Sequence, residues 1–263
     1  MFTVGMATYD DYDGVFFTSQ ALRLYHPLVT EIIIIDNNPT SEYGAACKRL
    51  SDANKIIKYI PFTEKISSSV KGEVFKHSSN EYVVVCDCHI LFPHYSFEAL
   101  KNFYLQNHKL YDLIQGPLLY DDLLTESTHL KEGWGSQFFG KWDKIEIKNS
   151  FAEIPAQGMG VFSCKRNEWL GFNKNFKGFG GEEYYIHEKY KQHGGRCVCV
   201  KDFKWLHRFN RPAGIPFPNT LHDRFHNYII GRIELDLPYD DVIDEFKKVL
   251  EVKTLNNIIQ QII

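Results

Sequence analysis

The sequence predicts an α/β fold in which a mainly parallel central sheet is flanked by helices. Three observations lead there. Glu31-Ile-Ile-Ile-Ile-Asp36 is a continuous β-branched run, the pattern of a strand covered on both faces. Strand-like and helix-like segments alternate through the amino-terminal half. Thr8, Asp36 and Asp87 each close an apolar run, and ligands of open α/β sheets gather beyond such carboxyl ends.

Taken in order, Phe2 to Ala7 reads as a buried strand, and Thr18 to Tyr25 carries apolar residues at helical spacing until Pro27 stops it. The aliphatic run follows, and Asn37-Asn38-Pro39 ends it, which completes a β-α-β unit. A short strand around Ile56 to Ile60, a helix from Ser67 to His77 and the strand Tyr82 to Cys86 repeat the alternation, with a further helix over Phe97 to Gln106. Between Tyr120 and Phe151 the pattern weakens into a polar stretch that contains Gly133 to Trp142, expected as a long surface excursion. Ala156 to Ser163 resumes a buried strand. Gly178-Phe-Gly-Gly-Glu-Glu183 opens a helix that Gly194-Gly195 closes, and Arg196 to Val200 is again strand-like. From Tyr239 onward the chain reads as an amphipathic helical tail that packs on its own domain or on a second subunit.

A net charge of −3 and a pI near 6.4 supply no global field for nucleic acid or anionic membrane. The amino terminus lacks the basic region, apolar stretch and cleavage site of a signal peptide, and no apolar run approaches the ~20 residues of a bilayer span, so a cytoplasmic protein is the expectation. Cys86/Cys88 and Cys197/Cys199 form two Cys-x-Cys pairs, beside lone Cys47 and Cys164. A structural zinc is one reading of such pairs, but the Cys-x-x-Cys knuckle is absent and reduced core cysteines are the plainer one.

Three segments carry chemistry. Asp87-Cys88-His89 ends a valine run, and alternation along an extended chain sends Asp87 and His89 to one face and Cys86 and Cys88 to the other. A carboxylate oxygen and an imidazole nitrogen at one mouth suit a divalent ion such as manganese; a strand end capped by polar residues is the bland alternative. In Gly178 to Tyr185 the glycines permit close backbone approach to a ligand, and Glu182 and Glu183 sit in a first helical turn, where acids are also simply good helix design. Trp205-Leu-His-Arg-Phe-Asn-Arg211 follows a strand, and its His207 becomes a ligand candidate only because two others are already proposed.

In this order the segments resemble the polypeptide N-acetylgalactosaminyltransferases and, more widely, glycosyltransferases of the GT-A fold, a Rossmann-like nucleotide-sugar-binding architecture. The resemblance runs from Phe2 to about Ile233. Asp87-Cys-His89 stands where that family has its Asp-x-His metal motif, Gly180-Gly-Glu-Glu183 where it has Trp-Gly-Gly-Glu-Asn, and His207 where it has its distal histidine ligand. Ala156-Gln-Gly-Met-Gly-Val-Phe162 looks like the strand beside the donor sugar. The resemblance implies a Mn2+ or Mg2+ ion on Asp87, His89 and His207, and a UDP-sugar donor touched by Thr8, Asp36, Lys71, Gly158, Gly180, Gly181, Arg208 and Arg211. It also implies transfer to a hydroxyl acceptor with retention, with Glu182 and Glu183 as catalytic candidates. Phe179 replaces the family's tryptophan and Glu183 its asparagine, which leaves the transferred sugar open. Residues 1–115 are then expected as the nucleotide-binding half of a single domain, 116–235 as the sugar and acceptor half, and 236–263 as a carboxyl-terminal helix.

Asn210 to Pro218 has the Gly and Pro punctuation of a lid, and Arg208, Arg211 and His222 would add positive charge over a diphosphate or form a solvated basic face. Candidate acceptors are a glycan or lipid-linked sugar, a protein hydroxyl and a hydroxylated DNA base. For DNA the only dense basic track is Lys131, Lys141, Lys144 and Lys148, interleaved with Trp134 and Trp142 and diluted by Glu132, Asp143 and Glu146. A metal-dependent nucleotide-sugar hydrolase and a non-catalytic nucleotide-sugar-binding protein are the competing classes.

Overall fold

A computed structural model describes residues 1–211 and 214–263; Pro212 and Ala213 of the expected lid lie outside the described residues. The chain opens with β1 (Phe2–Thr8), buried along nearly its whole length. Asp11 accepts from Gly14 N at 3.0 Å and caps α1 (Tyr12–Tyr25), so this helix begins well before the apolar spacing suggests. β2 (Val29–Asp36) lies parallel to β1. Ser41 then caps α2 (Glu42–Asp52), a helix that shows no stripe in the sequence because its buried face is only Gly44, Cys47 and Leu50.

After β3 (Ile57–Pro61), the helix expected over 67–77 is a 3-10 segment, Ser68–Glu73, that runs into the single turn of α3 (Val74–His77). Consecutive serines and Gly72 are weak α-formers, and Ser67 Oγ takes the Ser69 N–H. β4 (Tyr82–Asp87), β5 (Ile90–Leu91), α4 (Ser96–Gln106) and β6 (Asp112–Gln115) follow.

The stretch expected as a surface excursion is more ordered than that. It holds β7 (Leu118–Leu119), β8 (Glu126–Ser127) and a hairpin of β9 (His129–Gly135) and β10 (Phe138–Asp143), ending at β11 (Phe151–Glu153). The buried strand expected from Ala156 is displaced to β12 (Val161–Lys165), because Gln157 Nε2 instead ties two loops together through Gly116 O (3.0 Å) and Thr128 O (2.6 Å). α5 (Glu182–Gln192), β13 (Arg196–Val200), β14 (Trp205–His207) and α6 (Leu221–Glu234) complete the main body. The carboxyl-terminal helix is two helices, α7 (Asp240–Phe246) and α8 (Val252–Ile262), and it packs on its own domain: Leu255 joins Phe225, Ile229, Val242 and Phe246 in one cluster.

The central sheet has the order β3-β2-β1-β4-β12-β6-β13-β11. β1, β2, β3, β4, β6 and β13 run one way; β12 and the edge strand β11 run against them, so the sheet is mainly parallel as expected. Ile32 and Ile34 enter one core and Ile33 and Ile35 the other, which is why the aliphatic run does not alternate with polar residues. A smaller sheet, β5-β14-β7-β8, sits beyond the ends of the large one. All six cysteines are free and buried, and burial pushes the Cys47 and Cys197 thiols up to about 12, as expected for reduced core residues. Among the described residues no helix is long and apolar enough to cross a membrane.

Glu31 shows how the sheet accommodates a buried acid. Burial pushes its carboxyl up, but Lys58, the Ser79 N–H at 2.8 Å and the Thr3 and Ser79 hydroxyls outweigh this and hold it at about 2. An unfolded glutamate titrates near pH ~4.3, so this contribution to stability is present above that value and is lost as pH falls through about 2. Glu31→Gln should therefore melt lower at neutral pH and show a flatter acid limb in Tm against pH. A limb as steep as the wild type's would remove Glu31 as its source.

Candidate active site

β1 lies between β2 and β4, and the register pairs Thr8 with Asp36 and Ala7 with Asp87, so the expected strand ends do converge. This is the point where strand order reverses, the usual crevice of open α/β sheets. β4 stops at Asp87, whose N–H donates to Gly160 O at 2.8 Å, and Cys88-His89 turn into β5. The small sheet then supplies the distal residue: β14 pairs antiparallel with β5, His207 stands opposite Ile90, and Arg208 N donates to His89 O at 3.2 Å.

The outcome is a cluster of electron-pair donors. His207 Nε2 lies 3.2 Å from His89 Nε2 and 3.4 Å from Asp87 Oδ2, and one atom from each of the three side chains falls within 4.8 Å of the others. The expected division of faces fails at Cys88, whose Sγ is 3.6 Å from His89 Nδ1. Strand geometry ends at Asp87, so the alternation that would have sent Cys88 to the opposite face does not reach it. Burial raises the Cys88 thiol well above its usual value, and its Sγ lies 3.6 Å from Asp11 Oδ2, so Asp11, Cys88 and His89 form a second group of potential ligand atoms.

Charges around the cluster are paired. Lys71 is buried and donates to Asp87 Oδ1 and to Met159 O, both at 3.0 Å. Burial pushes the Asp87 carboxyl up, but Lys71, His207 and His89 together hold it well below the ordinary range, so it is a carboxylate. Burial pulls the His207 imidazole down, and among the described residues its Nδ1 has no partner. Asp11, which sequence reading passed over, lies 3.0 Å from His89 Nδ1 and accepts from Arg211 Nη1 at 3.2 Å. The one available signal was an acidic pair, Asp10-Asp11, directly after a strand end.

The glycine motif serves packing. Gly180 and Gly181 have φ of +94° and +93°, and a Cβ on them would lie 3.0 Å from Arg224 Nε and from Asn227 Cβ. Asn227 of α6, also missed from sequence, holds this loop: its Nδ2 donates to Lys177 O (2.7 Å) and Gly180 O (2.8 Å), and its Oδ1 accepts from Lys177 N (2.9 Å). α5 therefore begins with Glu182 buried and Glu183 half-buried, and Glu182 Oε2 is buried without a partner. Burial, then the adjacent Glu182, raises Glu183 above the usual carboxylate range.

The remaining candidates divide. Asp36 is buried and already engaged, accepting from Tyr59 OH at 2.6 Å and Asn38 N at 2.9 Å, while the buried Thr8 hydroxyl has no partner among the described residues. Gly158 lies against Trp142, which a Cβ would approach to 2.8 Å. Arg211 reaches the cluster through Asp11, whereas Arg208 and His222 are exposed. Around the basic track, Lys131 pairs with Asp143 and Lys144 with Glu126, while Trp134 Nε1 donates to Asp241.

Fold and site together define the chain as a GT-A-type glycosyltransferase fold. Residues 3–167 match glycosyl transferase family 2, and the chain belongs to that family. No curated protein matches it. Among solved structures it is similar to GalNAc-T7 with UDP, GalNAc and Mn2+, at 12% identity and a TM-score of 0.74 over 99% of this chain. It spans about half (54%) of that protein's chain. It is also similar to the mannosyltransferase PcManGT from Pyrobaculum calidifontis with GDP-Man and Mn2+ (12% identity, TM-score 0.59, 98% of this chain and 72% of that one). A third likeness is to residues 1–349 of S. aureus TarS with UDP-GlcNAc (13%, 0.60, 99% and 71%).

The Lys71–Asp87 pair makes a stability prediction. Asp87→Ala leaves a buried ammonium without its counter-charge and should cost about 3 kcal/mol, whereas Asp87→Ala with Lys71→Met removes both charges and should recover most of that. Urea unfolding of the two variants decides it, and a double variant no more stable than the single one would refute the pairing argument.

Proposed function

We propose that this protein transfers a sugar from a UDP-sugar to a hydroxyl acceptor with the help of a divalent cation, Mn2+ or Mg2+, held by Asp87, His89 and His207. The observation that carries the reading is the approach of two imidazole Nε2 atoms to 3.2 Å beside a carboxylate oxygen at 3.4 Å. Lone pairs at that separation repel unless a proton or a cation lies between them. One hard oxygen with two borderline nitrogens is a donor set for such an ion, so the residues present fit it. When bound, the cation would neutralise charge developing on the diphosphate leaving group.

The chain's own residues supply the rest. Thr8 and Asp36, paired at the carboxyl ends of β1 and β2, are the residues assigned to the uridine. Lys71 keeps Asp87 ionised and oriented rather than touching a phosphate itself. Glu182 and Glu183 open α5 close enough to Lys71 to feel its charge, and they are the groups assigned to the sugar and acceptor side. Residues 1–115 act as the donor half and 116–235 as the acceptor half.

Retention follows from the resemblance, with Glu182 as the carboxylate to test at the anomeric carbon. Inversion is the second reading, with Glu183 as its candidate base: it opens α5 half-buried beside Glu182, and burial and that neighbour raise its carboxyl above the usual range. The ion pairs that occupy Lys131 and Lys144 favour a glycan or protein hydroxyl over a DNA base.

Calorimetry with UDP, with and without Mn2+, tests the reading. Wild-type binding should require the metal, and His207→Ala should weaken it at least about 10-fold, or ~1.4 kcal/mol. Metal-independent binding, or a His207→Ala variant that binds as tightly as wild type, would sink the metal triad. With a donor and acceptor extract, the anomeric coupling of the product by NMR separates retention from inversion, and free sugar as the sole product would identify a hydrolase instead.

A further inference from the structure

We infer that Asp11 is a positioning residue that fixes the tautomer of His89, so that the lone pair of Nε2, not an N–H, faces Asp87 and His207. The inference rests on the reading that these three residues hold a cation, but it concerns an atom outside that set.

Asp11 Oδ2 lies 3.0 Å from His89 Nδ1 and accepts from Arg211 Nη1 at 3.2 Å, a shorter contact than the 3.4 Å from that Nη1 to His89 Nδ1, while Cys88 Sγ is 3.6 Å from both Asp11 Oδ2 and His89 Nδ1. The other carboxylate oxygen is committed, because Oδ1 takes the Gly14 N–H at 3.0 Å and caps α1. All three side chains are enclosed, with 10% of Asp11, 10% of His89 and 13% of Arg211 exposed, so water does not compete freely for these bonds. An unprotonated Nδ1 would set a lone pair against a carboxylate oxygen at 3.0 Å. The proton of a neutral His89 therefore sits on Nδ1, and Nε2 is left as an electron-pair donor. The carboxylate comes from the loop after β1, and its position is fixed by the cap it makes on α1.

The cap makes the replacement by asparagine informative. Gly14 N–H demands an oxygen at Oδ1, so the amide of Asp11→Asn must turn its Nδ2 toward His89 and Arg211. That N–H would donate to Nδ1, move the imidazole proton to Nε2, and remove the lone pair from the cluster while leaving the helix cap in place. Asp11→Ser keeps a capping oxygen for Gly14 but gives His89 no acceptor, and should leave a mixture of tautomers.

The experiment has two readouts. Long-range 15N–1H spectra of histidine-labelled, metal-free protein at pH 8 should show His89 as Nδ1–H in the wild type, Nε2–H in Asp11→Asn and both forms in Asp11→Ser. Calorimetry with Mn2+ alone should show binding 10- to 100-fold weaker in Asp11→Asn, the usual range for loss of such an outer partner. A wild-type His89 already protonated at Nε2, an unchanged tautomer in Asp11→Asn, or a Mn2+ affinity within about two-fold of wild type would overturn the inference. A wild type that shows the Nδ1–H tautomer and yet binds no Mn2+ would support the role of Asp11 in orienting His89 and would overturn the metal triad instead. Thermal melting of both variants checks that the cap, and with it the fold, is retained.

Discussion

The register between β5 and β14 is the constraint on which the site depends. β5 is two residues long and belongs to the small sheet, and without its pairing to β14 nothing in the large sheet would bring residue 207 to residue 89. The pairing is buttressed from behind. Trp205 is fully buried, its Nε1 donates to Gly116 O at 2.7 Å, and its N–H donates to Pro117 O at 3.1 Å, so the strand that carries His207 is anchored before it reaches the site. Gly116 is tightly constrained in turn, since a Cβ there would meet Phe203 O at 1.6 Å. A loop and a two-residue strand thus have the positional accuracy of a core element because they are packed like one.

The same register explains which parts of the site were legible in the sequence. Asp87 and His89 could be read because they end an unmistakable valine strand, and strand ends of parallel sheets are where ligands lie. His207 carried no local signal of its own; it was readable only through the order of motifs along the chain. Asp11 and Asn227 were not readable. Each acts on a residue far off in sequence, Asp11 on His89 and Asn227 on Lys177 and Gly180, and periodicity reports only local neighbours. Lys71, in contrast, could be placed near the site by resemblance, but its partner is Asp87, a role that only packing reveals.

The fold divides in a similar way. Elements with a broad apolar face, β1, β2, β4 and α4, stood out, whereas α2, β6 and α6 did not. α2 buries three small or medium residues, and β6 is four residues long. α6 buries Arg224 and Asn227 on the face that a hydrophobic stripe would be expected to fill. Arg224 is tolerated there because its guanidinium lies 3.6 Å from the centre of the Phe138 ring and donates to Asn219 Oδ1 at 2.7 Å. The hairpin of β9 and β10 escaped notice for the converse reason: its aromatic residues pack on α6 and α7 rather than on the main sheet, so the sequence pattern resembled an exposed excursion.

Buried charge is costly unless it is matched, and the way it is matched here decides what the cluster offers. Lys71 occupies one oxygen of Asp87; Gly14 N–H occupies one oxygen of Asp11, and His89 and Arg211 share the other. Among the described residues, His207 Nδ1 and Arg211 Nε are the atoms of this network that are buried without a partner. What is left facing inward is Asp87 Oδ2 and the two Nε2 atoms. Asp11, Cys88 and His89 bring a second group of potential ligand atoms beside the first, but Asp11 is already engaged by Gly14 and Arg211. The surrounding pairs therefore do more than stabilise the fold. By engaging Asp11 and one oxygen of Asp87, they leave Asp87 Oδ2 and the two Nε2 atoms facing one another.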